Sequence, residues 1–420
     1  MHKEIVLPSS AGYNDISLGI ASSSPKTAQE DLQLASVKTS FGRAVIFRRV
    51  PEADAAIWEE GLRHAACDHR YYELSHDSLG QQFDHYYLLL KDHTEKTRAI
   101  QPFLIVNQDL VAGLPGKIRQ FMNGIRRRFP STLVMRMLMV GSSAGEGHLV
   151  RDISTGGIEW VAQALSESLQ AVARNFKASM IVFKDFPNVY RKALRPLRKA
   201  GFVRVPSMPG SRLDLHFKDF EEYMQTHLSH KTRKNLRQKF RKAAAVAPLK
   251  LQVVSDVSGC IDEIYPLYLQ VVERSRYKFE ELTRDYFVQM GRRLKDRSVF
   301  FIWRQNGKAV AFSSCARHAG VLRDHYIGLD YQVAYDLHLY FVTFRDIVTW
   351  ALQNGCHTYY SAPLNYEPKY HLRHDLVPLD LYARTVWDWT NPVFRLIIPY
   401  LEPTRYDPII RRFPNARELW

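Results

Sequence analysis

The chain has 420 residues, of which 46% are hydrophobic and 12% aromatic, enough for two domains with their own cores and too many for one ordinary domain. Lys and Arg number 58 against 43 Asp and Glu, so the net charge of +15 favours acidic partners such as nucleic acid, an anionic membrane surface or a phosphorylated ligand. Four widely spaced cysteines without a CxxC pair argue against a disulfide framework and a cysteine-based zinc site. We expect a cytoplasmic protein, since no signal-peptide pattern opens the chain and no apolar run reaches the roughly 18 residues of a transmembrane segment.

The first half of the chain predicts an α+β domain over residues 41–215. Residues 1–40 precede it and are predicted to be a poorly ordered leader, because Ser, Ala, Thr and Gln dominate there without a sustained period. Apolar alternation predicts strands over 42–50, 86–90, 103–106, 132–140 and 180–183. Helical periodicity predicts helices over 53–66, 114–128, 161–176 and 189–200, and residues 202–215 form a further extended segment.

A strongly basic segment opens the second half. Its apolar residues recur every three or four positions, which predicts one helix over 220–243 with a buried face. From Lys231 to Lys242 it carries seven Lys or Arg and no acid. A solvated charged face is one interpretation, and a phosphate-binding surface is the other. The candidate phosphate-binding residues are Arg233, Lys234, Arg237 and Arg241.

The rest of the second half repeats the order of elements of the first. Strands are predicted over 249–254, 299–303, 309–316, 321–329, 358–361 and 379–386, with helices over 261–274, 284–294 and 340–353. Asn306-Gly307 predicts a tight hairpin between two of these strands. We therefore predict a second α+β unit over 216–390, followed by a C-terminal extension over 391–420. The apolar patch 394–401, interrupted by Pro399, is too short to span a membrane but could rest against one or against another subunit.

Several motifs of the second half occur in a fixed order. The block from Phe220 to Arg237 is followed by Gly328-Leu329-Asp330-Tyr331, then by Leu339-Tyr340-Phe341 and Glu367-Pro368-Lys369. Their order and spacing resemble the Fem-like branch of the GNAT acyltransferase superfamily, over about residues 103–386. The resemblance implies two tandem GNAT-like domains with mixed central sheets flanked by helices. It also implies transfer of an acyl or aminoacyl group onto an amine.

The order of strands and helices predicts that five side chains cluster around a central cleft and could carry the chemistry: Tyr326, Asp330, Tyr340, Glu367 and Lys369. Acylation of an amine needs a base for the attacking nitrogen, donors for the developing oxyanion and an acid for the leaving group. Glu367 or Asp330 is predicted as the base, and Tyr326 or Tyr340 as the acid. Lys369 is predicted to contact the oxyanion or a phosphate. A structural role stays open for each residue, since buried tyrosines and paired charges are common in protein cores.

The identity of the acyl donor stays open between two classes. In the GNAT fold, acyl-coenzyme A is held by a glycine-containing loop at a helix N-terminus. At the matching place this chain has Gln332 to Leu339, without a glycine. Acyl-CoA is the first predicted donor, with aminoacyl-tRNA as the alternative, because Fem-type transferases also lack that loop. The acceptor is predicted to be a small-molecule or peptide amine, and the oligomeric state is open. A second alternative is a non-catalytic protein that binds nucleic acid or an anionic membrane.

A Gly-x-Ser-x-Gly motif and a set of histidines are two further patterns that could indicate an active site or a metal site. The motif from Gly141 to Gly145 matches the Gly-x-Ser-x-Gly of serine hydrolases, with Ser143 as nucleophile. Such a nucleophile needs a helix directly after it, whereas 146–157 predicts an extended run, so we predict a loop. The histidines lack recognised zinc spacing, both around Cys67 and at 371–374, so no metal is predicted.

Overall fold

A computed structural model describes residues 33–109, 116–128, 134–155, 157–246, 248–275 and 279–420. The strands are β1 (Ala35–Thr39), β2 (Gly42–Phe47), β3 (Asp84–Asp92), β4 (Thr97–Asp109), β5 (Val134–Val140), β6 (Met180–Pro187), β7 (Val203–Pro206), β8 (Gly210–Asp214), β9 (Lys250–Val254), β10 (Ser298–Gln305), β11 (Lys308–His318), β12 (Val321–Leu329), β13 (Thr358–Ser361), β14 (Asp375–Val377) and β15 (Leu379–Thr385). The α-helices are α1 (Ala55–Leu62), α2 (His69–Leu79), α3 (Gly116–Arg126), α4 (Glu159–Asn175), α5 (Arg195–Lys199), α6 (Phe220–His227), α7 (His230–Val246), α8 (Ile261–Arg274), α9 (Arg284–Arg293), α10 (Leu339–Gln353), α11 (Tyr366–His371) and α12 (Asn391–Leu401).

The strands form two mixed sheets of the same design. The first has the order β1-β2-β3-β4-β5-β6-β15-β7, and the second has the order β14-β8-β13-β12-β11-β10-β9. Each sheet has an antiparallel series that leads to one parallel pair, β5 with β6 and β12 with β13. With helices packed against both sheets, the predicted α+β fold of two tandem GNAT-like units is confirmed.

Each sheet also contains a strand from the other half of the chain. Strand β8 pairs with β13 in the second sheet, and β15 lies between β6 and β7 in the first. The predicted boundary between residues 215 and 216 stays a prediction, because the two sheets do not divide the chain at one point. The exchange ties the two units together through main-chain hydrogen bonds.

A buried apolar cluster lies between the two units. It contains Tyr71 and Leu104 of the first unit together with Tyr286, Phe287 and Phe312 of the second. The hydroxyl of Tyr286 donates to that of Tyr71 at 2.8 Å. The units therefore share a core as well as strands, so we expect them to unfold together.

Part of the predicted leader forms a strand. Residues 1–32 of the predicted leader lie outside the described residues, but Ala35–Thr39 forms strand β1 and pairs with β2. Ala35 and Val37 pack against the first core. The prediction that order begins near Phe41 is therefore wrong for this strand. Small side chains alternating with Ser and Lys give too weak a strand signal.

The predicted basic helix 220–243 is two helices. Leu228 is buried in an extended conformation, and the Ser229 hydroxyl accepts from the backbone N–H of Thr232, so α6 ends and α7 begins at this point. Helical periodicity continued across the break because both helices bury a face against the same core. Helices α2 and α11 were not predicted.

Gly328, in the Gly-x-Asp-Tyr motif, lies where helix α8 approaches β12 closely. A Cβ at this position would lie 2.2 Å from the Phe312 ring and 2.7 Å from the backbone nitrogen of Tyr268. We expect Gly328→Ala to lower the free energy of unfolding by about 1–3 kcal/mol, because the helix backbone would have to move. Gly259→Ala is the control, with open space around its Cβ and an expected change within about 0.5 kcal/mol. Urea denaturation measures both, and equal effects would contradict the close-approach explanation.

Candidate active site

In the parallel pair of the second sheet, β13 is the shorter strand and ends well before β12. They pair from Val321 with Thr358 to Asp324 with Ser361, after which β13 ends while β12 continues to Leu329. In the first sheet, β5 ends at Val140, where its pairing with β6 also ends. Each parallel pair therefore leaves a gap beside its longer strand, β12 in the second sheet and β6, which continues to Pro187, in the first. The gap beside β12 is the one that borders a cluster of polar side chains.

Strand β12 carries a bulge at the start of this gap. Tyr326 pairs with Ser314, and Asp324 pairs with Cys315, so His325 is an extra residue. The bulge turns Asp324 towards one face of the sheet and Tyr326 towards the other. Bulges reorient side chains in this way and are frequent beside active sites.

Asp324 is the centre of a polar cluster at the gap. Its carboxylate accepts from the Tyr359 hydroxyl at 2.7 Å and from the Ser313 hydroxyl. Burial raises the pKa of Asp324, while those two hydrogen bonds and the charge of Lys369 act in the opposite direction. The charge of Asp324 also acts on the phenol of Tyr340, at the start of α10. An acid, two phenols and an amine therefore surround one point at the end of β13.

Lys369 supplies the amine of this cluster from helix α11. Its side chain is buried, and its ammonium donates to the carbonyl oxygen of Ala362, the residue that follows β13. Burial lowers the pKa of Lys369 to about 7, against the opposing effect of Asp324. A substantial fraction of this lysine is therefore neutral at physiological pH and can accept a proton. Burial also raises the pKa of Tyr340, which keeps its phenol protonated.

Glu367 does not join this cluster. It lies two residues before Lys369 in α11, and two residues correspond to about 200° around a helix. Lys369 is therefore buried while Glu367 is exposed. The prediction that Glu367 lines the cleft as a base has no support in this geometry.

Asp330 and Tyr326 have other partners. One carboxylate oxygen of Asp330 accepts from the backbone N–H of Gln332, and the other lies 3.1 Å from the ammonium of Lys308. Tyr326, on the opposite face of β12, donates to Glu280 at 3.1 Å. The prediction that all five candidate residues form one cluster is therefore wrong, because the bulge and the helix turn direct them to different surfaces. Of the five, Lys369 and Tyr340 are the two on which the charge of Asp324 acts.

The other face of β12 points towards the first unit and is also polar. Arg323 forms an ion pair with Glu146 at 3.0 Å, and its guanidinium lies 4.4 Å from the centre of the Tyr360 ring. The His325 Nε2 atom is buried without a hydrogen-bond partner among the described residues. Burial lowers the pKa of His325 to about 4, so this imidazole is neutral. Arg323, Glu146 and His325 therefore lie at the junction between the two units, on the side of β12 opposite to Asp324.

Asp324 and Arg323 were missed by the sequence reasoning, which treated 321–329 as a strand of the core. The available signal was the run Arg323-Asp324-His325, three polar residues inside an otherwise apolar strand. Consecutive polar residues break the alternation of a half-buried strand. Such a break is expected at a bulge that exposes both faces to a site.

Many backbone N–H groups of the loop between β12 and α10 donate hydrogen bonds within the protein. Those of Val333 and Ala334 donate to the carbonyl oxygen of Asp330, at 3.1 and 2.9 Å. Those of Leu337 and Leu339 donate to carbonyl oxygens within the same loop. The amides that a glycine-containing loop would offer to a diphosphate are therefore engaged within the protein.

The basic face of α7 differs in part from the prediction. Arg233 donates to the carbonyl oxygens of Gln225 at 2.6 Å and Leu228 at 3.1 Å, so it closes the end of α6. Arg237 pairs with Glu221. Both have structural partners in place of the free phosphate-binding role predicted for them. Besides Arg237, four cationic residues of α7 are exposed: Lys231, Lys234, Arg241 and Lys242.

The C-terminal half of α7 lies beside the start of α10. The ammonium of Lys239 lies 4.9 Å from the centre of the Phe341 ring. Burial, together with the charges of Lys239 and Lys242, lowers the pKa of His338. A cationic surface therefore borders the N-terminus of α10, next to the gap between β12 and β13.

Ser143 lies in a loop, as predicted. Its hydroxyl is buried at 3.0 Å from Nε2 of His85, and the next α-helix, α4, begins only at Glu159. The helix that a nucleophile elbow requires directly after the serine is absent from the described residues 144–155. The pair is therefore a buried hydrogen bond of the first unit.

Over the described residues, no group of three His, Cys, Asp or Glu side chains is placed to hold a metal ion. None of the described helices has the length and apolar character needed to cross a membrane.

The two mixed sheets, each with one parallel pair, and the bulged strand β12 define a GNAT-like fold. Residues 230–369 match the family model described as an acetyltransferase (GNAT) domain.

Solved structures with a similar arrangement include L-PGS from Bacillus licheniformis, with 12% identity, coverage of 86% of this chain and 98% of that chain, and a TM-score of 0.49. FemX is 11% identical, with coverage of 78% and 93% and a TM-score of 0.47. A tandem GNAT protein from the clavulanic acid biosynthesis pathway is 9% identical, with coverage of 73% and 83% and a TM-score of 0.40. A search of the curated proteins gave no match.

Proposed function

We propose that this protein transfers an acyl group onto an amine in the gap between β12 and β13. The observation that carries the proposal is Lys369, a buried amine with a pKa lowered to about 7, held at the end of β13 beside Asp324. A proton acceptor is most effective when its pKa lies near the working pH. Lys369 meets this condition at neutral pH.

The step that we propose is a direct displacement at the acyl carbonyl. The amine nitrogen attacks the carbonyl carbon and forms the C–N bond, and Lys369 takes the proton that the nitrogen loses. The C–S or C–O bond to the donor then breaks, and the Tyr340 phenol gives a proton to the leaving group. Asp324 stabilises the ammonium that forms on Lys369. In this proposal, backbone N–H groups of β12 beyond the end of β13 would donate to the oxyanion.

The donor in this proposal carries phosphate, as both acyl-CoA and aminoacyl-tRNA do. The exposed cations Arg241 and Lys242 lie on α7 with Lys239, next to the N-terminus of α10. In this proposal they bind the phosphates of the donor, because the backbone amides of the loop before α10 already have partners. Acyl-CoA is the donor class common to the fold. Aminoacyl-tRNA is the second candidate, and the engaged amides favour it, because a tRNA needs no diphosphate cradle.

The acceptor amine in this proposal enters from the junction between the units. Glu146 and Glu280 place carboxylates on that face of β12, and the Tyr326 hydroxyl is bound to Glu280. Carboxylates are suitable partners for an incoming ammonium group. Donor and acceptor would then meet across the gap from opposite faces of the sheet.

Binding of the two donor classes tests this assignment. We expect Lys239→Ala/Lys242→Ala to weaken donor binding by about tenfold or more and to flatten its salt dependence, since two phosphate contacts are lost. Fluorescence anisotropy would measure labelled tRNA and labelled coenzyme A separately. Lys96→Ala/Lys295→Ala removes the same charge from exposed sites elsewhere and should leave binding within about twofold.

The result assigns the donor. If the protein binds tRNA in a salt-sensitive way and does not bind coenzyme A, the donor is aminoacyl-tRNA. If it binds coenzyme A and not tRNA, the donor is acyl-CoA. Equal loss in both double variants would contradict a localised phosphate site. Lys369→Met should leave binding intact in either arm, which separates catalysis from binding.

A further inference from the structure

Helix α12 exposes a continuous apolar stripe at the C-terminal end of the chain. The exposed fractions are 59% for Val393, 74% for Leu396, 46% for Ile397 and 60% for Tyr400. Just before the helix, Trp389 is 79% exposed. Within the helix, the spacing of three, one and three residues places Val393, Leu396, Ile397 and Tyr400 on one side. An ordinary surface helix directs such residues towards the core.

The opposite side of α12 holds the helix to the protein. Asn391 is buried, donates to the carbonyl oxygen of Gly201 at 2.9 Å and accepts from the backbone N–H of Thr385 at 3.2 Å. Phe394 packs partly against the apolar cluster shared by the two units. The helix is therefore anchored through one side while its larger apolar side faces outwards.

Cations border this stripe. The guanidinium of Arg405 lies 4.9 Å from the centre of the Tyr400 ring, and that of Arg174 lies 5.5 Å from the centre of the Trp387 ring. The sequence from Trp389 to Leu401 contains no acidic residue. The stripe is therefore apolar at its centre and positively charged at its edges.

We propose that this face of α12 binds an anionic lipid surface. A helix that lies in the membrane interface buries an apolar face at the acyl boundary and directs cations to the lipid phosphates. Trp and Tyr are the residues enriched at that depth. A second copy of the chain fits less well, because a twofold contact would bring the same arginine-bordered surface against itself in a protein of net charge +15. An anionic lipid surface has the negative charge that would pair with these arginines, whereas a second copy of the chain does not.

Flotation of the full-length chain with lipid vesicles tests the proposal. The vesicles contain phosphatidylcholine alone or with one third phosphatidylglycerol. Binding is expected to the phosphatidylglycerol vesicles and to weaken at high salt. The variant Leu396→Asp/Ile397→Asp should lower the bound fraction by about tenfold or more. Arg405→Gln should reduce binding mainly at low salt.

The control changes an apolar side chain of matching exposure. Val189 of the first unit is 78% exposed, and the variant Val189→Asp should leave vesicle binding unchanged. Unaltered far-UV circular dichroism would show that each variant is folded. Failure of the wild type to bind phosphatidylglycerol vesicles would overturn the proposal. So would dimers that dissociate in Leu396→Asp/Ile397→Asp while vesicle binding is absent.

Discussion

Lys369→Met is expected to lower the rate of acyl transfer by about 10² to 10⁴-fold, the range attributed to a positioned proton-transfer group. Methionine fills a similar volume but has no basic nitrogen. In the wild type, kcat/KM should rise with pH through about 7, as Lys369 loses its proton and becomes able to accept one. This rise should be missing from the residual activity of the variant. The measurement is mass-spectrometric detection of acylated amine from a panel of acyl-CoA thioesters and aminoacyl-tRNAs.

Glu367→Gln is the matched control for this experiment. It lies in the same short helix, but on the exposed side, and should keep activity within about twofold. A loss caused by Glu367→Gln equal to that of Lys369→Met would restore Glu367 as a candidate base. It would also contradict the site described for Lys369.

Arg323→Met is expected to lower the free energy of unfolding by about 3–5 kcal/mol. The change leaves Glu146 largely buried without its partner, where an uncompensated charge is unfavourable. Because the pair joins β12 to the loop after β5, the loss should appear as a lower Tm of the whole protein. The double variant Arg323→Met/Glu146→Leu should recover most of the stability, since no unpaired charge remains.

An exposed ion pair provides the comparison. Arg43 and Glu95 are 35% and 57% exposed, so Arg43→Met should change the free energy of unfolding by less than about 1 kcal/mol. Calorimetry and urea denaturation would measure both pairs. If Arg323→Met is no more destabilising than Arg43→Met, the buried pair does not hold the two units together.

Local patterns in the sequence predicted most of the second sheet. The hairpin at Asn306-Gly307 joins β10 to β11, with positive φ at both residues, and the periodicity of 340–353 matches α10. Both features depend on residues close together in the chain. The exchange of β8 and β15 between sheets does not, because pairing over such a distance is chosen by the whole tertiary structure. No local signal marks it.

The candidate site likewise combines features that local sequence patterns indicate with features that depend on tertiary packing. The Glu-x-Lys motif drew attention to Lys369, but which of its residues points inwards depends on a helix, α11, that was not predicted. The importance of Asp324 depends on a bulge one residue away and on a hydroxyl from Tyr359, which lies on a separate strand. Arg233 has a cationic sequence context, yet its partners are carbonyl oxygens of the preceding helix. Such details follow from packing.

The most direct measurement is the titration of Lys369 by NMR, with lysine labelled with ¹³C at Cε. We expect one resonance to titrate with a midpoint near pH 7, because burial lowers the pKa of this ammonium to about that value. That resonance should be absent from Lys369→Met. If every lysine resonance instead keeps its protonated shift to about pH 9, Lys369 is an ordinary cation and the proposed proton transfer is wrong.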